Sequence, residues 1–178
     1  EPRTTVLGKI CDHIVIESDG QDKWSEENKR SREWKDLGKD KIKSFIKDAG
    51  IVGMGGAAFP THVKLSPPDD RPIDTLILNG IECEPYLTCD YRLMMEKTKG
   101  VIEGLRIIMK VLGVERAIIG VEANKQDAFE AMRDACWADD GISAELLKVK
   151  YPQGAEKQLI EALIGREVPP GKLPLDVG

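Results

Sequence analysis

Cysteine and histidine are scarce in this 178-residue chain, and their scarcity removes several classes of function. The four cysteines form no CxxC pair, so neither a disulfide-built scaffold nor a zinc ribbon is expected. Two histidines offer little to any other metal site, and we predict no metal site. No apolar run approaches the roughly 18 residues that a membrane-spanning helix needs.

An excess of basic residues is also missing. The 26 lysines and arginines are outnumbered by 31 acidic residues, and no basic run occurs, so nucleic acid is not an expected partner. The remaining composition, 41% hydrophobic and 32% charged, is typical of a globular protein. Because the chain starts without Met and stops directly after a Pro/Gly loop, we interpret it as a piece of a longer protein.

Helix and strand patterns alternate along most of the chain. Helices are predicted at 40–49, 60–64, 90–112 (single, or interrupted at Gly100), 125–137 and 155–163, and strands at 74–79, 116–121 and 145–150. Such alternation favours parallel strands joined by helical crossovers. We therefore predict a three-layer α/β fold, with a mainly parallel sheet between helices and ligands at the carboxyl ends of the strands.

The amino-terminal part has a different character. Residues 10–17 are rich in β-branched side chains, and Ile10, Ile14 and Ile16 would share one face of a strand. Residues 18–38 are strongly polar. We predict that 1–38 is a strand remnant of an upstream domain followed by a linker, and that 39–178 is a ligand-binding α/β domain.

A glycine-rich loop between the first two predicted helices is the strongest local signal. Gly53, Gly55 and Gly56 lack Cβ atoms, so their N–H groups can approach a phosphate or carbonyl, and Lys64 can add a positive charge. The loop follows a helix pattern rather than a strand and contains no Gly-Lys-Ser/Thr, which excludes the Rossmann and Walker motifs. The alternative is a flexible turn.

Polar residues follow two of the predicted strands. Asn79 offers both a donor and an acceptor, which matches the mixed edge of a flavin ring, and Glu82 and Glu84 could bind ribityl or ribose hydroxyls or a nicotinamide amide. The alternative is an exposed acidic loop. After the third strand, Tyr151 offers a ring for stacking beside Gly154 and a helix start, which favours anions; an ordinary strand-to-helix connection is equally compatible.

These segments together resemble the C subunit of the Rnf electron-transport complex. The resemblance runs from about Gly50 to Gly178 and is carried by the glycine loop, Asn79-Gly80-Ile81-Glu82-Cys83-Glu84-Pro85-Tyr86-Leu87-Thr88, Arg92-Leu93-Met94 and Gly165-Arg166-Glu167-Val168-Pro169-Pro170-Gly171. More distantly, the chain resembles the NADH-binding flavoprotein subunit of respiratory complex I. It departs from that relative at Met54, Ile81 and Ala155, in a way that fits the Rnf branch.

The resemblance implies a flavin site and its residues. FMN would be bound by Gly53, Gly55, Gly56, Lys64, Asn79, Glu82, Tyr151, Gly154 and Glu156. Phe59 would contact the dinucleotide substrate NAD(H). Glu84 would lie near both flavin and nicotinamide, and it is our candidate for the catalytic position.

The implied activity is hydride exchange between NAD(H) and FMN, with electrons passing to 4Fe–4S clusters. Those clusters are expected outside this chain, because it has no CxxCxxC run. The implied partners are the other subunits of a membrane-bound complex and a ferredoxin-type protein, on the cytoplasmic side of the cell membrane. Two alternatives are a non-catalytic assembly module that retains the fold and a plain nucleotide-binding domain.

Overall fold

The computed structural model of the chain describes residues 1–5, 8–25, 33–54 and 57–178. The described chain divides into two compact units, Glu1–Glu33 and Trp34–Gly178. The first unit contains an antiparallel pair, β1 (Pro2–Thr4) and β2 (Ile10–Asp12). The strand predicted over 10–17 is therefore too long: Ile14 and Ile16 lie beyond it and are 92% and 88% exposed.

The second unit is built on a three-stranded parallel sheet with the order β3-β4-β5. Its strands are β3 (Thr75–Gly80), β4 (Arg116–Glu122) and β5 (Ile142–Leu147). The helices are α1 (Lys39–Asp48), α2 (Thr61–Lys64), α3 (Cys89–Glu96), α4 (Thr98–Leu112), α5 (Gln126–Cys136) and α6 (Glu156–Ile164). The central strand β4 is buried from its second residue onward, as its near-continuous apolar sequence predicts.

Helices cover both faces of the sheet, which confirms the predicted three-layer α/β fold. Alternate residues of β4 point to opposite faces, and Ala117, Ile119 and Val121 pack against buried side chains of α3, α4 and α5. On the other face, Gly120 leaves room for α6: a Cβ there would lie 3.2 Å from Leu159 Cδ1.

The two helices that flank the glycine loop share a smaller core with α4. Ile42 of α1, Leu65 directly after α2 and Val111 of α4 form one buried cluster. Gly50, with φ +67°, ends the turn after α1 in the left-handed region that glycine favours. The segments on either side of the glycine loop, α1 and the end of α2, thus pack together with α4.

Two boundaries differ from the predictions. The long helix is interrupted at Lys97, not at Gly100, and the Thr98 hydroxyl at the start of α4 donates to the Met94 carbonyl at 2.5 Å. The third strand begins three residues earlier than predicted and ends at Leu147, which pairs with Glu122, the last residue of β4. Beyond that point, residues 148–150 pair with no strand of the described chain.

Candidate functional site

Three connections meet at the carboxyl edge of the sheet. β3 leads into the acidic turn, residues 81–88; β4 leads into a short turn, residues 123–125; and β5 leads into the connection 148–155 before α6. Because the strands are parallel, all three connections start at the same edge. This edge is where ligands bind in open α/β sheets.

Asn79 joins two of these connections. Its side-chain Nδ2 donates to the Gly154 carbonyl at 2.9 Å, and its Oδ1 accepts from the Ile81 N–H at 3.1 Å. The residue is exposed, and one of its two Nδ2 protons remains for another acceptor. Asn79 and Gly154, both predicted to bind the cofactor, are thus brought together.

The connection before α6 packs closely on the end of β3. The Ala155 N–H donates to the Pro152 carbonyl at 3.0 Å, and the Tyr151–Pro152 peptide bond is cis. A Cβ at Gly154 would lie 3.1 Å from the Ile81 carbonyl oxygen, so glycine permits this approach. Tyr151 is 74% exposed, and its ring is available for stacking. Glu156 is exposed in the first turn of α6.

Gln153 is a buried residue in this connection that sequence reasoning missed. It is 2% exposed, and its Nε2 has no hydrogen-bond partner within the described residues. The Gly154 N–H also has no acceptor in the described part of the chain. A buried donor without a partner costs about 1–3 kcal/mol, so a ligand acceptor placed here would be favourable. No local pattern indicated this, because glutamine is usually a surface residue.

Glu82 lies beneath the acidic turn rather than on its surface. Its carboxylate accepts from two amides in the first turn of α3, the Asp90 N–H at 2.7 Å and the Tyr91 N–H at 3.1 Å, and from Lys125 Nζ at 2.9 Å. Burial raises the pKa of Glu82, but these hydrogen bonds outweigh burial and hold that pKa below its ordinary value. Contact between its carboxylate and a cofactor would require giving up one of these bonds.

Lys125 and Glu122 complete this buried group, and neither was expected from sequence. Lys125 Nζ also donates to Glu122 Oε2 at 3.0 Å. The side chains of Glu82 and Glu122 are each 2% exposed and that of Lys125 is 12% exposed. Burial lowers the pKa of Lys125, but the hydrogen bonds to both carboxylates raise it above its ordinary value. One sequence signal could have indicated this group: Glu122 is an acidic residue at the end of a buried strand, three residues before Lys125.

Glu84 differs from Glu82 in both its exposure and its contacts. It is exposed, and its carboxylate has no hydrogen bond or ion pair within the described residues. Only its backbone is held, since its carbonyl accepts from the Leu87 N–H at 3.4 Å. Tyr86, two positions later in the turn, has φ +67° and is fully exposed. The free carboxylate at this edge is available for a ligand.

The glycine loop is closed at its base by backbone hydrogen bonds. The Gly53 N–H donates to the Phe59 carbonyl at 2.8 Å, and the Thr61 N–H donates to the Ile51 carbonyl at 3.1 Å. Phe59 is 54% exposed, and Lys64 is exposed with no described partner. Gly55 and Gly56, two of the predicted cofactor ligands, lie outside the described residues.

The structure does not directly join this loop to the carboxyl edge. No hydrogen bond or ion pair links the described residues of 51–64 to 79–86 or to 151–156. The roles assigned to Gly53, Phe59 and Lys64 therefore stay predictions, as do those of Tyr151, Glu84 and Glu156.

One cluster at the start of α3 contains metal-type donors. The carboxylates of Glu82 and Asp90 and the thiol of Cys89 lie within 4.8 Å of one another. The Cys89 thiol donates to Glu82 at 3.4 Å, and this hydrogen bond raises the pKa of the thiol. The Glu82 oxygens already have donors within the described residues, so a metal ion here would have to displace those hydrogen bonds. Burial and the Glu82 charge also raise the pKa of Asp90.

Comparison with known proteins gives a consistent family. Residues 46–178 match the family model of the Nuo51 FMN-binding domain. The C subunit of the proton-translocating ferredoxin:NAD+ oxidoreductase complex of Clostridium ljungdahlii is 55% identical over 170 residues, covering 94% of this chain and 36% of that protein. The C subunit of the Na+-translocating complex of Acetobacterium woodii is 50% identical over 178 residues, covering 100% of this chain and 40% of that protein.

A solved structure supports the fold. A chain of NAD+-reducing [NiFe]-hydrogenase in the air-oxidised state superimposes with a TM-score of 0.62 at 28% identity, covering 74% of this chain and 25% of that one. Among the described residues, no helix combines the length and apolarity needed to cross a membrane. The present chain spans 36% and 40% of the two relatives from Clostridium ljungdahlii and Acetobacterium woodii. It belongs to the C-subunit family of the Rnf-type, ion-translocating ferredoxin:NAD+ oxidoreductases and contains that family's Nuo51-type FMN-binding domain.

Proposed function

We propose that this chain binds FMN and takes part in hydride exchange between NAD(H) and the flavin. Electrons would pass to 4Fe–4S clusters located outside the chain. The observation that carries the proposal is the hydrogen bond from Asn79 to Gly154, because it brings two predicted cofactor-binding segments together at the carboxyl edge of the sheet.

The polar groups at this edge fit a flavin ring. Among the described residues, two donors at this edge are left for ligand acceptors: the second Nδ2 proton of Asn79 and the Gly154 N–H. Gln153 adds a buried Nε2 without a described partner directly beside Gly154. One edge of a flavin ring carries carbonyl and nitrogen acceptors together with one N–H donor, and the ring has an aromatic face on which Tyr151 could stack. When bound, FMN supplies the conversion between hydride transfer and single-electron transfer.

In this proposal, the residues of the chain bind and orient the flavin and the nicotinamide. Asn79 and Gly154 would hold the polar edge of the ring. Gly53, Gly55 and Gly56 would let the backbone approach the cofactor, with Lys64 as a cation. Phe59 and the exposed Glu84 would position the nicotinamide. Glu82, buried beneath the acidic turn, would hold that turn in place.

The partners proposed for this chain are based on its relatives. Those relatives are subunits of ion-translocating ferredoxin:NAD+ oxidoreductase complexes, so the partners proposed here are other subunits of such a complex and a ferredoxin-type protein. A peripheral position on the cytoplasmic side of the membrane completes the proposal. A non-catalytic assembly module with the same fold is the alternative, and it would not bind FMN.

Titration of the intact protein with FMN, followed by NADH reduction of the flavin, separates these functions. We expect bound flavin that NADH reduces. Glu84→Gln should leave the FMN affinity unchanged and raise the KM for NADH about tenfold, because a charge-assisted hydrogen bond is replaced by a neutral one. Glu115→Gln is the control, since Glu115 is exposed at the opposite edge, before β4. Absence of FMN binding would support the assembly module instead.

A further inference from the structure

We propose that Lys125 is a positioning residue for the NAD(H) reaction, which holds the acidic turn in place through Glu82 so that Glu84 can meet the nicotinamide. The inference rests on the proposed function, because it assigns Lys125 a role that acts through Glu84. The hydrogen bonds described for Lys125 reach neither Asn79 nor Gly154, the residues that join the acidic turn to the connection before α6.

The position of Lys125 is fixed by the turn after β4. Its N–H donates to the Glu122 carbonyl at 2.9 Å, and its Nζ bridges Glu122 Oε2 at 3.0 Å and Glu82 Oε2 at 2.9 Å. One cation thereby forms ion pairs with two carboxylates, whose side chains are each 2% exposed. Buried charges require such pairing, so Lys125 is the group that permits Glu82 to stay ionised where it lies.

Glu82 in turn closes the base of the acidic turn. Thr88, the residue before α3, makes no capping hydrogen bond with its side chain. The Asp90 and Tyr91 amides in the first turn of the helix donate to Glu82 instead. At the other end of the turn, the Ile81 N–H donates to the Asn79 side chain. The segment between is thus pinned at both ends, and Glu84 is placed by the backbone of the turn.

Loss of the Lys125 charge should therefore alter the position of Glu84 while the hydrogen bond between Asn79 and Gly154 stays in place. Glu82 and Glu122 would then face each other as buried like charges, and Glu82 would leave the amides of α3. The turn would loosen, and Glu84 would occupy its productive position for a smaller fraction of the time. Because weaker positioning of the substrate affects its binding, the KM for NADH should rise while kcat and the FMN affinity change little.

A double-mutant cycle in the intact protein tests this. We expect Lys125→Met to raise the KM for NADH about tenfold, with kcat and the FMN dissociation constant within about twofold of the wild type. The Lys125→Met/Glu84→Gln double variant should be no worse than the poorer single variant, because both changes remove the same contribution. Lys99→Met, on the exposed start of α4, is the control and should leave all three quantities unchanged.

Several results of this cycle would contradict the role of Lys125 or that of Glu84. An unchanged KM in Lys125→Met, or KM increases that multiply in the double variant, would overturn the inference and leave the proposed function intact. An unchanged KM in Glu84→Gln would overturn the role of Glu84 itself. If Lys125→Met does not fold, Lys125→Met/Glu122→Gln replaces it in the cycle, since only one buried charge remains. Failure of both to fold would also overturn the inference, because Lys125 would then determine the fold.

Discussion

Asn79→Asp should loosen the connection before α6 without disturbing the acidic turn. The aspartate keeps the oxygen that accepts from the Ile81 N–H at 3.1 Å, but it replaces the donor to the Gly154 carbonyl at 2.9 Å with a second oxygen. One hydrogen bond is worth about 0.5–1.5 kcal/mol, which corresponds to about a 2- to 13-fold larger population of the locally open form. Asn79→Ala removes both bonds and should also expose the Ile81 amide.

Hydrogen exchange by mass spectrometry on the intact protein measures this directly. In Asn79→Asp, amides in 151–156 should exchange faster while the Ile81 amide keeps its protection; in Asn79→Ala both should exchange faster. Asn124→Asp makes the same chemical change at an exposed residue with no described partner and should alter neither. Wild-type exchange at 151–156 in Asn79→Asp would refute the claim that this side chain joins the two segments.

Two further predictions concern packing and pH. In a denaturant titration, Gly80→Ala should destabilise the protein by about 1–3 kcal/mol, because the new Cβ would lie 2.9 Å from the Gly120 carbonyl oxygen. Gly104 lies in the middle of α4, and a Cβ there would have no neighbour within 4 Å. Gly104→Ala should therefore stabilise the protein by about 0.5–1 kcal/mol in the same titration. Equal effects of the two changes would contradict the packing of β3 on β4. Since its pKa is lowered, Glu82 should protect the Asp90 and Tyr91 amides fully above its ordinary pKa of 4.5 and lose that effect as pH falls through the lowered value. Glu82→Gln should remove this pH dependence, and hydrogen exchange in which the variant keeps it would contradict the capping role.

The fold could be predicted from the sequence because its signals are local. The alternation of apolar strands and amphipathic helices identified the layers, and Gly165 ended α6 as predicted, with φ +68°. The third strand was misplaced because 148–150 continue a strand-like pattern beyond the last residue of β4, where the described chain offers no partner strand. The pattern of one segment does not reveal the length of its neighbour.

The candidate site could be predicted only in part, because its buried charges depend on distant residues. Glu82 and Glu84 look equivalent in sequence, two positions apart in one turn. Lys125, 43 residues after the first of them, pairs with Glu82 and leaves Glu84 exposed. Glu82 therefore lies beneath the turn, and only tertiary contacts decide this. The link between Asn79 and Gly154, 75 residues apart, is equally invisible to a local pattern.

The location of bound FMN tests the central claim most directly. In a crystal structure of the intact protein with FMN, we predict the flavin ring at the carboxyl edge of the sheet, within hydrogen-bond distance of Asn79 Nδ2 or the Gly154 N–H. A cavity of about 410 Å³ beside Arg71 and Lys172 offers a rival position. Flavin bound there, with Asn79 and Gly154 free of it, would contradict the proposed site.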